Sequence, residues 1–324
     1  MFEALKIDAE AAAEEIASTI RHQVLKDLRR RGVVLGLSGG VDSSVVAALC
    51  VRALGPNKVL GVLMPETDND PDSLRLGREV AQGLRIDSLV EDIAPILEAA
   101  GCYRRRDEFI RRVFPDYGRG WRNKIVIRRA CGGPYNVSYL VVRSPDGATH
   151  EARMPIDAYL GIVAATSMKQ RTRKQIEYYH ADRLNYAVAG TPNRLEYDQG
   201  FFVKNGDGAA DLKPIAHLYK SQVYQLAEHL GVPEEIRARP PTTDTYSLTQ
   251  TQEEFYFGIS LAKLDLCIYG LDHGVPAAEL APAVGLSAVE VEAIFRDIAG
   301  KRRTTRYQHE PPMLVHAPML VHGQ

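Results

Sequence analysis

Apolar residues fall into two rhythms along the chain. Short unbroken runs, Val33-Val34-Leu35-Gly36-Leu37, Val59-Leu60-Gly61-Val62-Leu63-Met64 and Ala187-Val188-Ala189-Gly190-Thr191, have the length and composition of strands buried on both faces. Between them, apolar positions recur every three or four residues, as on helices: over 7–31, where Arg29-Arg30-Arg31 and Gly32 form the stop; from Val45 to about Leu54; over 73–84; from Ile156 to His180; and from Tyr219 to Leu230, halted by Gly231 and Pro233. The Ser287/Glu290 spacing is that of a capping box and opens a last helix that is predicted to end at Gly300. Asp87 to Ile93 reads as a further short strand. Apolar strands feeding helices predict an α/β fold, a doubly wound and mostly parallel sheet flanked by helices, with ligands at the carboxyl ends of the strands.

Between Gly101 and Arg153 this alternation breaks. Residues 103–129 hold ten basic against three acidic residues, interleaved with Tyr103, Phe109, Phe114, Tyr117 and Trp121. Such a composition suits a subunit interface or lid, and less well a nucleic-acid contact. Two apolar runs, Asn136 to Arg143 and Thr149 to Met154, flank Ser144-Pro145-Asp146-Gly147-Ala148 and predict a β-hairpin with an Asp-Gly turn. The chain thus reads as one domain over 1–324, with an inserted subdomain at 101–155 and a C-terminal tail at 307–324 that carries two similar units, Met313 to Ala317 and Met319 to His322.

Composition narrows the partners. With 40 basic and 41 acidic residues in 324, the net charge of -1 gives no general attraction to nucleic acid or an anionic membrane. No run of eighteen apolar residues occurs, and Met1-Phe2-Glu3-Ala4-Leu5-Lys6 lacks the character of a secretory leader, so a cytoplasmic protein is expected. Cys50, Cys102, Cys131 and Cys267 form no CxxC pair, and neither a zinc site nor a redox dithiol is signalled; Cys50 is expected in the core.

The candidate chemistry sits in two stretches. Ser38-Gly39-Gly40-Val41-Asp42-Ser43-Ser44 lies between a predicted strand and a predicted helix. Its glycines let backbone approach an anion, and the first-turn amides of the following helix bind phosphate. It is neither a Walker loop nor a dinucleotide fingerprint, and it resembles the pyrophosphate loop of the N-type ATP pyrophosphatases. The second stretch, Gly190-Thr191-Pro192-Asn193-Arg194-Leu195-Glu196 continuing through Gly200 to Lys220, sets Glu196, Asp207 and Asp211 among glycines with Lys204 and Lys220, a donor set for a metal and a polyphosphate together.

Taken with Met168-Lys169-Gln170-Arg171-Thr172-Arg173 and Pro240-Pro241-Thr242-Thr243-Asp244, these motifs resemble the ammonia-dependent NAD synthetase family over roughly 10–100 and 156–306. The resemblance implies an amide ligase that adenylates the nicotinate carboxylate of deamido-NAD with ATP, releases pyrophosphate, and lets ammonia displace AMP. It implies ATP contacts from Gly36, Leu37, Ser38, Gly39, Gly40, Val41, Asp42, Ser43, Thr191, Lys220 and Thr242, Mg²⁺ ligation by Asp42 and Glu196, and dinucleotide contacts from Arg171, Lys204, Asp211 and Lys301. Asp42, Lys220 and Asp207 are the catalytic candidates, Asp207 as acceptor of a proton from ammonia. It also implies a homodimer, with ammonia free or supplied by a separate glutaminase. The chain departs from the family at Ser167-Met168, where an Asn precedes the Lys-x-Arg motif, and at Gly300, where a His stands in the C-terminal basic loop. Both fall on the acceptor side, so amidation of a different carboxylate is the alternative, and a tRNA-modifying ATP pyrophosphatase a more distant one that the missing paired cysteines disfavour.

Overall fold

The computed structural model describes residues 2–129 and 136–315. Its centre is a four-stranded, all-parallel sheet ordered β3-β2-β1-β7, formed by β1 (Val33–Gly36), β2 (Val59–Leu63), β3 (Asp87–Val90) and β7 (Ala187–Val188). The period-two geometry of a strand explains the unbroken apolar runs. Val33 and Leu35 of β1, with Val59 and Leu63 of β2, point into one core, while Val34, Leu60 and Val62 point into another on the opposite face.

Helices α1 (Ala9–His22), α2 (Val41–Leu54), α3 (Pro71–Leu84) and α8 (Lys220–His229) cover the first face. On the other face lie α4 (Ala94–Ala99), α5 (Cys102–Arg111) and the long α6 (Ile156–Leu184). The doubly wound architecture is therefore as expected. The short α7 (Arg194–Gln199) follows β7, α9 (Glu234–Ala238) follows α8, and α10 (Leu261–Asp272), α11 (Ala277–Val284) and α12 (Ala288–His309) pack into a separate helical core. No helix among the described residues is long and apolar enough to cross a membrane.

Local chemistry sets the helix ends. Asp70 caps α3 by accepting from the Asp72 amide, with Pro71 at the first helical position, and Arg85 ends it in the left-handed region. Asn193 and Glu196 form a reciprocal capping box on α7, which Gly200 closes.

Several boundaries differ from the sequence reading. The first helix gives way to a π-turn at Gln23–Asp27, and Arg29 takes a positive φ, so the chain leaves the helix before Gly32. Of the predicted run Ala187 to Thr191, only Ala187–Val188 pairs in the ladder, with Ala189 in an isolated bridge to Leu212. The last helix does not end at Gly300. It continues to His309, since a glycine inside a helix costs backbone entropy but breaks no hydrogen bond, so Lys301 belongs to a helix rather than to a loop.

The insertion holds more structure than a hairpin. Antiparallel strands β4 (Arg122–Arg129), β5 (Asn136–Arg143) and β6 (Thr149–Arg153) form a second sheet in the order β4-β5-β6, the β5–β6 pair being the expected hairpin. Ile125, Leu140 and Val142 bury one face of it against Ile110, Ile162 and Tyr246. β4 escaped the sequence reading because Arg122, Lys124 and Arg128 interrupt its apolar positions. Many of the arginines in this region are engaged within the chain: Arg106 with Asp68 and Asp107, Arg104 with Glu108 at 2.7 Å, Arg112 with Asp157 at 2.8 Å. Cys50, Cys102 and Cys267 are buried; Cys131 and the tail's second apolar unit lie outside the described residues.

Candidate active site

The loop between β1 and α2 lies at the carboxyl end of the sheet's inner strand. Gly39 adopts φ +75°, and a Cβ there would stand 2.6 Å from the Ser73 carbonyl oxygen, so the position needs glycine for both its backbone and its space. Gly40, extended, is the N-cap of α2 and has no side chain to occupy the helix's first amides. The Ser38 and Ser43 hydroxyls lie 3.1 Å apart, and the Ser44 hydroxyl donates to the Gly40 carbonyl at 2.8 Å, so the serines hold the loop's shape. The amides of Gly39, Val41, Asp42 and Ser43 have no protein acceptor among the described residues. Four N–H groups thus stand without a protein acceptor at the positive end of a helix dipole, which is the chemistry of a phosphate cradle.

Beside them is a buried charge cluster. Lys220, the first residue of α8, is 2% exposed and forms an ion pair with Asp42. The Asp265 carboxylate accepts from the amides of Lys220 and Ser221 at 3.1 and 2.7 Å, capping α8 from a distant helix. Asp42 also accepts from the Asn193 side-chain amide at 3.2 Å. Glu196 accepts from the Asn193 backbone at 3.1 Å and from Gln252 at 2.8 Å. Burial, then the neighbouring Asp42, pushes the Glu196 carboxyl up to about 7, although Lys220 and these hydrogen bonds oppose the shift. Burial alone would lower the Lys220 ammonium, but Asp42 and Glu196 outweigh it and hold it above the ordinary lysine value.

These groups open onto a cleft of about 570 Å³ lined by Ser38, Gly39, Gly40, Val41, Asp42 and Ser43 together with Thr191, Glu196, Lys220 and Thr242. Arg171, Lys204 and Asp207 line the same cleft, so motifs far apart in sequence meet in one space. A second lobe of about 420 Å³, bordered by Gly36, Leu37 and Met64, shares Ser38, Thr191 and Asp207 with the first. Burial raises the Asp207 carboxyl above the ordinary aspartate value, against the Val203 amide that donates to it at 2.8 Å.

Two sequence candidates lie outside both lobes. Asp211 accepts from the Val188 amide at 2.7 Å and from the Tyr178 hydroxyl, which fastens the end of β7. Lys301 donates to the Tyr256 carbonyl at 3.0 Å and pairs with Asp297 at 2.8 Å. Lys204, at the rim, donates to the carbonyls of Tyr307 and Glu310 at 2.7 and 2.9 Å and so caps the C-terminal end of α12. Conversely, the sequence reading assigned no role to Gln252, Asp265 or the buried Lys174–Glu177 pair, 2.6 Å apart in the second lobe. Lys174 carried a usable signal, since it follows Gln170 and Arg171 at helical spacing on α6.

A parallel α/β sheet with a phosphate cradle, a buried lysine and paired carboxylates at its carboxyl edge defines a nucleotide-dependent enzyme of the ATP pyrophosphatase kind. The NAD synthase family model matches residues 12–110 and 148–312. The chain belongs to that family of carbon–nitrogen ligases. Among its relatives, the NH(3)-dependent NAD(+) synthetase of Rhizobium meliloti (strain 1021) is 64% identical over 312 residues, covering 96% of this chain and 93% of the relative. That of Thermotoga neapolitana is 35% identical over 80% of this chain and 83% of its own length. Among solved structures, NMN synthetase from Francisella tularensis superposes with a TM-score of 0.66 at 21% identity, over 95% of this chain and 99% of that one. The NH3-dependent NAD synthetase from Campylobacter jejuni gives 0.62 at 21% identity, over 96% and 100%. At such identities the structural likeness speaks to the fold.

Proposed function

We propose that the cleft holds ATP with its outer phosphates on the α2 amides and deamido-NAD beside Arg171 and Lys204, and that the chain joins ammonia to the nicotinate carboxylate to make NAD, as the names of its relatives say of them. The observation that carries this reading is the meeting in one cleft of four loop amides without a protein acceptor among the described residues, Lys220 and two carboxylates, with Arg171, Lys204 and Asp207.

A nicotinate carboxylate oxygen forms the new bond to the α-phosphorus while the bond to the bridging oxygen breaks and its electrons leave with pyrophosphate. The loop amides and Lys220 face the oxygens where that charge gathers, and they are fixed before the reaction begins. Ammonia then adds to the acyl carbon and AMP leaves. The proton that ammonia sheds goes to a base, and Asp207, in the cleft with a raised affinity for protons, is suited to take it. Asp42 and Glu196 are the residues that would hold Mg²⁺: two carboxylates beside a phosphate site are the donors a hard dication takes, and both line the cleft. The ion, when bound, neutralises phosphate oxygens. A homodimer, ammonia from solution or from a separate glutaminase, and a cytoplasmic setting belong to the same reading.

The test is purified protein with ATP, Mg²⁺ and ammonium, offered deamido-NAD, its mononucleotide half or free nicotinate, with AMP, pyrophosphate and amide measured. NAD together with equimolar AMP and pyrophosphate is expected from deamido-NAD. ADP with orthophosphate, or turnover with one of the other acids alone, overturns the proposal.

A further inference from the structure

We infer that the inserted sheet is a brace for the wall of the ATP cleft, and that Asn123, Lys124, Ser247 and Gln250 are positioning residues for the nucleotide. The inference rests on the reading of the cleft as an ATP site. The wall is residues 239–252, which contribute Thr242, Thr243, Asp244 and Gln252 to the lining. It has almost no regular structure of its own: apart from one isolated bridge, Thr242 to Thr251, and a few cross-loop hydrogen bonds such as Gln252 N–H to the Pro241 carbonyl at 3.0 Å, nothing within it fixes its path. A segment this irregular holds one position only if something outside it does the holding.

β4 supplies that support on one side, while Asn69, Asp70 and Lys169 hold Asp244 and Thr245 on the other. It pairs with β5 along one edge, and the other edge, which would otherwise present unpaired backbone groups, meets the wall. The Asn123 amide donates to the Ser247 hydroxyl at 2.8 Å, the Leu248 amide donates to the Asn123 carbonyl at 3.0 Å, and the Gln250 side chain donates to the Ile125 carbonyl. Asn123 and Ile125 are two residues apart, as the outward-facing groups of a strand edge must be. Lys124 reaches across to the Thr249 carbonyl at 3.2 Å and to Glu254 at 3.0 Å, while Leu248 is buried between Val126 and Val141. From there the wall runs directly into the site through Gln252, which donates to Glu196, itself beside Asp42 and Lys220. The family model leaves 111–147, which hold β4 and β5, unmatched.

The experiment is a charge swap across the brace. Lys124→Glu, Glu254→Lys, the double swap and Gln250→Ala are compared with the wild type in steady-state pyrophosphate release, and the melting temperature of each is measured. A brace predicts that both single swaps and Gln250→Ala raise KM for ATP by about five-fold, the factor that one or two net hydrogen bonds represent, with kcat changed less than about two-fold. The double swap returns KM to near the wild-type value. A through-space charge effect on ATP would move the two single swaps in opposite directions, and that result overturns the inference. So does an unchanged KM accompanied by a lower melting temperature, which marks a structural role only. Wild-type protein inactive with ATP would refute the reading of the cleft; active wild type with flat variants refutes the brace alone.

Discussion

Glu196 illustrates how a single side chain can serve two ends at once. Its carboxylate completes the capping box of α7 and stands in the charge cluster, so its ionisation touches both stability and function. Because its folded value of about 7 lies above the ordinary 4.5, the folded protein takes up a proton that the unfolded chain releases. Stability from this group is therefore lost as pH rises from about 4.5 to about 7, by on the order of 1–3 kcal/mol, and the loss is complete above that window. Glu196→Gln should flatten this part of the profile relative to the wild type, as read by urea denaturation at pH 5 and pH 8. Equal pH slopes in the two proteins would show that the carboxyl is not elevated. Gly39 makes a purely steric demand. Gly39→Ala combines a left-handed backbone with a Cβ driven into the Ser73 carbonyl, which should cost about 1–2 kcal/mol or more in stability and lower kcat/KM for ATP by at least about ten-fold. Retained ATP kinetics would mean that the loop does not shape the phosphate site.

At the scale of elements, α8 depends on α10. Lys220 begins α8 and its position follows from that helix's first turn, whose amides are held by Asp265 of α10. Asp265→Ala strips the acceptor from one buried and one partly buried N–H group and should destabilise the fold by about 1–3 kcal/mol. It should also raise KM for ATP, since the Lys220 ammonium shifts with its backbone. Asp265→Asn, which keeps one acceptor oxygen, should recover part of both effects; an Ala variant with wild-type melting temperature would exclude the cap. The reading of helices and strands from periodicity found the elements whose apolar positions form unbroken runs, as in β1 and β2, or recur at helical spacing, as in α3 and α8. It failed for β4, where Asn123 and Lys124 face a neighbouring loop and break the apolar run, and at Gly300, where α12 continues through a residue that alone would signal an end.

The whole molecule is tied together by a buried ionic network. Lys169 is fully buried on α6 and reaches Glu66 at 3.0 Å, Asp68 at 2.6 Å and the Thr245 carbonyl at 2.7 Å, while Arg106 of α5 shares the same Asp68 oxygen, Oδ2. It joins the loop after β2, the insertion's first helix, α6 and the cleft wall. Lys169→Met leaves two acids buried with one cation gone, which should cost about 3–5 kcal/mol, measured as the shift in the urea midpoint at constant slope. A shift below about 1 kcal/mol would mean that water reaches the network. The same residue appeared in the sequence only as part of a motif next to Arg171, with nothing to say that it points inward.

The sequence by itself determined the alternation of strands and helices, the phosphate loop, and the group of charged residues around Glu196 and Lys220, because these depend on spacing along the chain and on residue types that few other arrangements require. Tertiary structure decided what meets what. That Asp42 pairs with Lys220, that Asp211 and Lys301 turn to backbone partners away from the cleft, and that β4 holds a loop more than a hundred residues distant follow from long-range packing. Packing selects partners by proximity in space, and proximity is not written in local pattern.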